Sequence, residues 1–188
     1  MTATDLPHDA DLPFVPCRTF GPEWFDRAPV RFHNSVVLPV SRARLFQVFA
    51  DPDSWSKWAT GIGGVEWTSP EPYGPGTTRT VTFWGGVKVY EDFFAYDPEA
   101  GHMAFCFYGT TEPIWTRFGE NYQVADLGPN RCRLDWTVAY DPTGVFGRIH
   151  WMLKPVMALN LASYMWRLKS YLRRLDPPAA LTASGSEP

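Results

Sequence analysis

Six consecutive segments with the pattern of β-strands lie between residues 65 and 140, and no helical segment separates them. They are rich in β-branched and aromatic residues, and turn-like stretches lie between them. Two connections are sharp turns, Gly85-Gly86 and the turn that contains Gly128-Pro129. Such connections require neighbouring strands to be antiparallel. The predicted strands are residues 65–69, 76–84, 87–96, 103–108, 115–125 and 132–140.

Other elements flank this block on both sides. Before it, residues 30–38 form a first strand, Ser41 is the predicted N-cap of one helix, and Asp51-Pro52 begins a second short helix that runs towards Trp58. After it, apolar residues at spacings of three and four predict one long C-terminal helix. Its apolar face is formed by Met157, Leu161, Tyr164, Leu168, Leu172 and Leu175.

This order of elements predicts an α+β protein in which the long helix covers the concave face of a curved sheet. We expect a helix-grip fold, with about seven antiparallel strands wrapped on the C-terminal helix and two short helices after strand one. Pro155 either kinks the long helix or marks the start of its main segment. The basic residues near its C-terminal end are interpreted as a solvated face that opposes the helix dipole, rather than as a membrane-binding face.

Composition restricts the class of protein. The chain has 188 residues, 45% of them hydrophobic, and a formal charge of −3, which fits one globular domain with a core large enough for a cavity. The charge argues against a nucleic-acid partner, because phosphate contacts need clustered Lys and Arg. Three widely spaced cysteines favour a reducing cytoplasm. No segment has the pattern of a signal peptide or a transmembrane helix, and monomer and homodimer remain open.

The same composition divides the chain into three parts. Residues 1–28 contain four prolines among Asp and scattered aromatic residues, and form an N-terminal extension that is either a tail or docked on the domain. Residues 29–175 form the folded domain, and residues 176–188 have the composition of a disordered tail.

Four segments resemble one known family. They are residues 36–49 (VVLPVSRARLFQVF), 51–58 (DPDSWSKW), 94–105 (FAYDPEAGHMAF) and 132–140 (CRLDWTVAY). Together with the last helix, they make residues 29–175 similar to the START-like, or SRPBCC, superfamily, in its polyketide cyclase/dehydrase branch. The resemblance implies a ligand-binding domain with a largely apolar cavity for a hydrophobic or aromatic small molecule. It supplies no shared catalytic residue, so the chemistry depends on the side chains that face the cavity.

Glu120 is the best candidate for a general acid or base. Alternation along its strand places it on one face with Phe118, Tyr122 and Val124, and burial there would raise its pKa. The alternative is an outward position after a shift in register, or an ion pair with an arginine.

Glu91 is the second candidate carboxylate, and its position depends on the hairpin around Gly85-Gly86. A two-residue turn pairs Trp84 with Val87, so that Thr80, Trp84 and Glu91 share one face. The apolar residues Val89 and Phe93 favour this face as the inward one, although the opposite face is nearly as apolar and the reverse orientation stays open. The same register pairs Arg79 with Asp92 as an exposed ion pair of little energetic value.

The other candidates form the wall of the predicted cavity. Asn34 is either a ligand contact or a structural amide, and the aromatic side chains suit a flat ligand. The four histidines lack metal-ligand spacing, so no metal is predicted. The glycines at 61–64 lack the third glycine of a dinucleotide fingerprint, so this segment is interpreted as a turn and no cofactor is predicted. The predicted ligand contacts are Asn34, Trp84, Phe93, Phe105, Phe107, Tyr108, Tyr122, Trp136, Met157, Leu161 and Tyr164.

These residues support three functional hypotheses. In the first, an enzyme cyclises or dehydrates a polyketide-like substrate, with Glu120 or Glu91 as the base and Asn34 or a tyrosine hydroxyl holding the enolate oxygen. In the second, the protein is a non-catalytic lipid or metabolite carrier or sensor, which a cavity lined almost wholly by carbon would favour. In the third, a collapsed cavity leaves an interaction module whose N-terminal aromatic residues dock a partner protein.

Overall fold

The computed structural model describes residues 13–176, and the predictions for residues 1–12 and 177–188 lie outside this range. A short 3-10 turn, Pro22–Trp24, precedes the main domain. The remaining elements are β1 (Val15–Pro16), β2 (Val30–Leu38), α1 (Arg42–Ala50), α2 (Pro52–Trp58), β3 (Ile62–Trp67), β4 (Thr77–Phe83), β5 (Lys88–Asp97), β6 (His102–Thr110), β7 (Trp115–Asp126), β8 (Cys132–Pro142) and α3 (Gly144–Leu175).

The strands form one antiparallel sheet in the order β2-β8-β7-β6-β5-β4-β3, with β1 attached to one end of β6. All six strands predicted after α2 are present, and successive strands are neighbours as expected from the short turns. The helix-grip prediction is therefore confirmed. Strand β2 closes the order by pairing with β8, so that Asn34 lies opposite Trp136.

The two short helices form where the capping residues predict them. The Ser41 side chain accepts a hydrogen bond from the backbone N–H of Arg44, and the Asp51 side chain accepts one from the N–H of Asp53. Trp55 then packs back on α1, because its indole N–H donates to the carbonyl of Phe49 at 2.9 Å. These contacts fix α1 and α2 over one end of the concave face of the sheet.

Helix α3 is continuous from Gly144 to Leu175, so Pro155 does not mark its start. Leu168 and Leu172 are fully buried in the core, while the first half of the helix is more exposed. The helix packs against β2 and β8, and on the concave side of the sheet it faces the aromatic side chains of β6 and β7. Within residues 13–176 no helix is long and apolar enough to span a membrane.

Residues 13–28 pack on the outer face of the sheet. The ring of Phe14 lies 5.6 Å from that of Tyr90, and Phe20 lies against Gly119, where an added Cβ would be 2.5 Å from the Phe20 ring. The backbone N–H of Cys17 donates to the carbonyl of Tyr108 and continues the pairing of β1. The N-terminal aromatic residues therefore cover outward-facing residues of β5, β6 and β7.

Two local predictions were wrong. Gly63 and Gly64, interpreted as part of a turn, lie inside β3, where the register shifts between Ile62 and Gly64. The β4-β5 hairpin has a three-residue loop, since the N–H of Phe83 donates to the carbonyl of Val87. The extra loop residue shifts the register by one and exchanges the two faces of β4 relative to β5.

Candidate functional site

A cavity of about 240 Å³ lies between the concave face of the sheet and α3. Most of its wall is apolar, and the aromatic rings come from α2, from strands β4 and β6–β8 and from α3. The lining residues are Trp55, Trp58, Ala59, Ile62, Arg79, Val81, Phe83, Glu91, Phe105, Phe107, Trp115, Phe118, Glu120, Tyr122, Trp136, Val138, Met157, Asn160, Leu161, Tyr164 and Met165.

Glu120 occupies the middle of this wall on β7. Its Oε2 accepts hydrogen bonds from the Tyr122 hydroxyl and, at 2.9 Å, from the indole N–H of Trp136. Burial raises the pKa of Glu120 from an ordinary value of 4.5 to about 7, although both hydrogen bonds oppose the shift. A carboxyl group with this pKa exchanges a proton near neutral pH, as a general acid or base requires.

Arg79 and Glu91 form a buried ion pair beside Glu120. Nε of Arg79 donates to Oε2 of Glu91 at 2.5 Å, and only 1% and 5% of the two side chains are exposed. The guanidinium also lies 4.4 Å from the centroid of the Trp55 ring and 5.0 Å from that of Trp67. Burial raises the pKa of Glu91, while the Arg79 charge and hydrogen bond act in the opposite direction.

This pair corrects the predicted hairpin. The expected partners were Arg79 and Asp92 on the surface, but the observed register places Arg79 opposite Glu91. Because the loop is one residue longer than predicted, Arg79 and Val81 point inwards in place of Thr80 and Thr82. Glu91 faces inwards as predicted. The Arg79 cation lies beside it, whereas the predicted register would have placed Arg79 on the outer face.

Three hydrogen-bond donors on the cavity wall lack a partner within the described residues. They are Nη1 of Arg79 and the indole nitrogens of Trp58 and Trp115. An unpaired buried donor costs free energy, so a site with several of them favours a ligand that brings acceptor oxygens. The Tyr164 hydroxyl, in contrast, already donates to the carbonyl of Thr60 at 2.5 Å.

The structure brings most of the predicted site residues to this cavity. Phe93 is the exception among the buried residues, because it does not line the cavity. Its ring lies 5.1 Å from the Arg79 guanidinium. The predicted residues that line the cavity are Glu91, Glu120, Phe105, Phe107, Tyr122, Trp136, Met157, Leu161 and Tyr164.

Three predicted ligand contacts lie elsewhere. Trp84 is 69% exposed, because it belongs to the hairpin loop and not to the inward face of β4. Tyr108 points to the outer face of β6, where its ring lies 6.4 Å from that of Phe14. Asn34 is half-buried on β2, outside the set of residues that line the cavity.

The main residue missed from the sequence is Arg79. A three-residue loop containing Trp84, Gly85 and Gly86 was available as an alternative to the two-residue turn, and both glycines have positive φ. That loop would have aligned Arg79 with Val81 and Phe83 on the inner face. Trp115 carried no such signal, because its role depends on contacts between distant elements.

A curved antiparallel sheet around a long C-terminal helix, with a cavity between them, defines a START-like helix-grip protein. In agreement with this class, residues 29–173 match the family described as polyketide cyclase/dehydrase and lipid transport. The chain belongs to this family. Among residues 13–176, no group of three or more His, Cys, Asp or Glu side chains is arranged to hold a metal ion.

Individual proteins are similar over most of the chain. Uncharacterised proteins of Mycobacterium tuberculosis and Mycobacterium bovis are 38% identical over 156 residues, which cover 83% of this chain and 92% of each relative. Among solved structures, the Zhui aromatase/cyclase from Streptomyces sp. R1128 has a TM-score of 0.64 at 14% identity and covers 79% of this chain and 96% of its own.

Two further structures share the fold. A START superfamily protein from Mycobacterium smegmatis has a TM-score of 0.62 at 14% identity, over 78% of this chain and 99% of its own. The di-domain aromatase/cyclase BexL of the BE-7585A biosynthetic pathway has a TM-score of 0.63 at 14% identity, over 79% of this chain and 48% of its own.

Proposed function

We propose that this protein binds a hydrophobic, aromatic or polyketide-like small molecule in the cavity and catalyses its cyclisation or dehydration by proton transfer. The observation that carries the proposal is Glu120, a carboxyl group on an aromatic cavity wall with a pKa of about 7. The family and the aromatase/cyclase names of two structural neighbours support the reaction class.

The proposed chemistry assigns one role to each polar group. The Glu120 carboxylate accepts a proton from a carbon next to a ketone, and the electron pair of that C–H bond forms an enolate. Nη1 of Arg79 and the indole N–H of Trp58 donate to the enolate oxygen. In dehydration, protonated Glu120 returns its proton to the leaving hydroxyl, so that water departs as the C–O bond breaks.

Glu91 has a different role in this scheme. Its carboxylate is held by Nε of Arg79, so it is not free to act as the base. The ion pair instead fixes the guanidinium so that Nη1 is available to a ligand. Glu91 is therefore a positioning residue, and Glu120 is the catalytic carboxylate.

The cavity volume limits the ligand. An apolar cavity of about 150 Å³ binds benzene, so 240 Å³ accommodates about one to two aromatic rings. A cavity lined wholly by carbon would favour a carrier, whereas here two carboxylates and a guanidinium line the wall. A suitable probe is 2-acetylnaphthalene, which has two rings, one acceptor oxygen and an exchangeable methyl group.

The test is deuterium exchange into the methyl group of 2-acetylnaphthalene in D2O, followed by NMR with and without protein. We expect the protein to accelerate exchange, with a rate that rises through about pH 7 as Glu120 ionises. Glu120→Gln should abolish the acceleration and leave probe affinity, measured by calorimetry, within a few fold. Trp84→Ser is the matched control, because Trp84 lies outside the cavity.

The outcomes separate the enzyme from the carrier. Exchange that is equally fast in Glu120→Gln contradicts the catalytic role of Glu120. Tight binding of the probe without any acceleration contradicts catalysis and supports the carrier or sensor.

A further inference from the structure

Helix α3 has a second apolar face, on the side opposite to the core. Large apolar side chains are exposed there, including Leu159, which is 74% exposed. They follow one another at spacings of four, three, four, three and seven residues, which places them in one stripe along the helix. This stripe consists of Val145, Ile149, Met152, Val156, Leu159 and Trp166.

The helix that carries the stripe is strongly basic. It contains six Lys or Arg residues and no Asp or Glu, in a chain that has 17 basic against 20 acidic residues. Arg148, Arg167 and Arg174 are exposed beside the stripe, and none of the three forms an ion pair within the described part of the chain. An exposed apolar stripe therefore lies on a surface with uncompensated positive charge.

In contrast to the interpretation from the sequence, which took the basic residues of this helix as a solvated face, we propose that the stripe docks on an anionic lipid bilayer, with α3 parallel to the membrane surface. A helix with this combination of apolar and basic residues inserts its apolar side chains at the headgroup boundary, and its Lys and Arg residues bind anionic headgroups. The charge decides between lipid and a second copy of the chain. Pairing two α3 helices would bring two sets of six positive charges together with no carboxylate on either helix.

The docking places the membrane next to the element that closes the cavity. Met157, Leu161 and Tyr164 line the cavity from one side of α3, while Val156 and Leu159 of the stripe are exposed on the other. A hydrophobic ligand would then need to cross only the width of this helix between bilayer and cavity. The docking is independent of Glu120 and of any reaction in the cavity.

The test is sedimentation of the full chain with vesicles of phosphatidylcholine containing about 30 mol% phosphatidylglycerol, compared with pure phosphatidylcholine. Three exposed basic residues predict binding to the anionic vesicles that is about 100-fold stronger. Raising NaCl from about 0.1 M to about 0.5 M should weaken it, because salt screens these charges. Equal binding to both vesicle types overturns the proposal.

Two variants locate the surface. The double variant Val156→Ser/Leu159→Ser should weaken binding to the anionic vesicles by about tenfold or more, because two apolar insertions are lost. Leu127→Ser is the matched control, because Leu127 is exposed in the turn between β7 and β8. Circular dichroism checks that each variant keeps its helix content.

Two results would contradict this location. One is equal loss of binding in the double variant and in Leu127→Ser. The other is a dimer in light scattering that the double variant abolishes, together with no vesicle binding by the unmodified chain. That result would assign the stripe to self-association.

Discussion

Breaking the ion pair between Arg79 and Glu91 tests whether the two charges are as fully desolvated as their burial indicates. Glu91→Gln removes the hydrogen-bonded counter-charge of the buried Arg79, and an arginine cannot escape this cost by losing its proton. Glu120 lines the same cavity but is hydrogen-bonded to Tyr122 and Trp136, so it replaces that counter-charge only in part. Removing one partner of a buried pair costs about 3–5 kcal/mol. The rings of Trp55 and Trp67 stabilise the cation in part, so we expect a loss of about 3 kcal/mol.

Arg79→Met should behave differently, because Glu91 can take up a proton. In that variant burial keeps the pKa of Glu91 above its value in the unfolded chain, so the folded state holds the proton to higher pH. Stability is then greatest below pH 4.5, where both states are protonated, and it falls as pH rises. The variant should therefore lose more stability at pH 8 than at pH 4.5. The loss in Glu91→Gln should have the opposite dependence and be smaller at pH 8, because Glu120 is then ionised beside the Arg79 charge.

The assay is urea denaturation of Glu91→Gln, Arg79→Met and the double variant Arg79→Met/Glu91→Leu at both pH values. The double variant should recover most of the loss at pH 4.5, because it removes both charges of the pair and Glu120 is protonated at that pH. Asp135→Asn is the control, since its pair with Arg133 is exposed and contributes at most about 1 kcal/mol. If Glu91→Gln costs no more than Asp135→Asn, the pair is not desolvated and this reasoning fails.

Other predictions concern pH, packing and capping. Glu120 stays protonated in the folded state up to about pH 7 but ionises near pH 4.5 when the chain is unfolded, so stability should fall between these pH values by at most about 3 kcal/mol. Urea denaturation at several pH values should show this fall for the unmodified chain and not for Glu120→Gln. The same fall in both proteins would contradict the raised pKa. Gly119→Ala would place a Cβ 2.6 Å from the carbonyl oxygen of Phe105 and should cost about 1–3 kcal/mol. Gly64→Ala is the control, because its Cβ would meet no atom of residues 13–176 within 4 Å. Asp51→Ala should lower the free energy of unfolding by about 1 kcal/mol through loss of the α2 cap, and with it the thermal midpoint. An unchanged midpoint would show that the cap does not contribute.

The local elements could be predicted because their signals are local. Ser41 and Asp51 cap their helices through hydrogen bonds to residues two or three positions away, which the sequence places directly. Strand alternation likewise predicts that Glu120 shares a face with Phe118 and Tyr122, because neighbouring side chains on a strand point to opposite faces. That this face points inwards was implied by the family resemblance, and Glu120 lines the cavity.

The sequence by itself therefore determined the order of strands and helices, the capped helix starts and the aromatic character of the inner face. Only the tertiary structure decided the site around Arg79. A single residue in the hairpin loop determines which face of β4 points inwards, and the two loop lengths are both compatible with the Gly85-Gly86 signal. The position of the Trp58 indole on the cavity wall and the exposed stripe on α3 also depend on which distant elements pack together, and local sequence patterns do not contain that information.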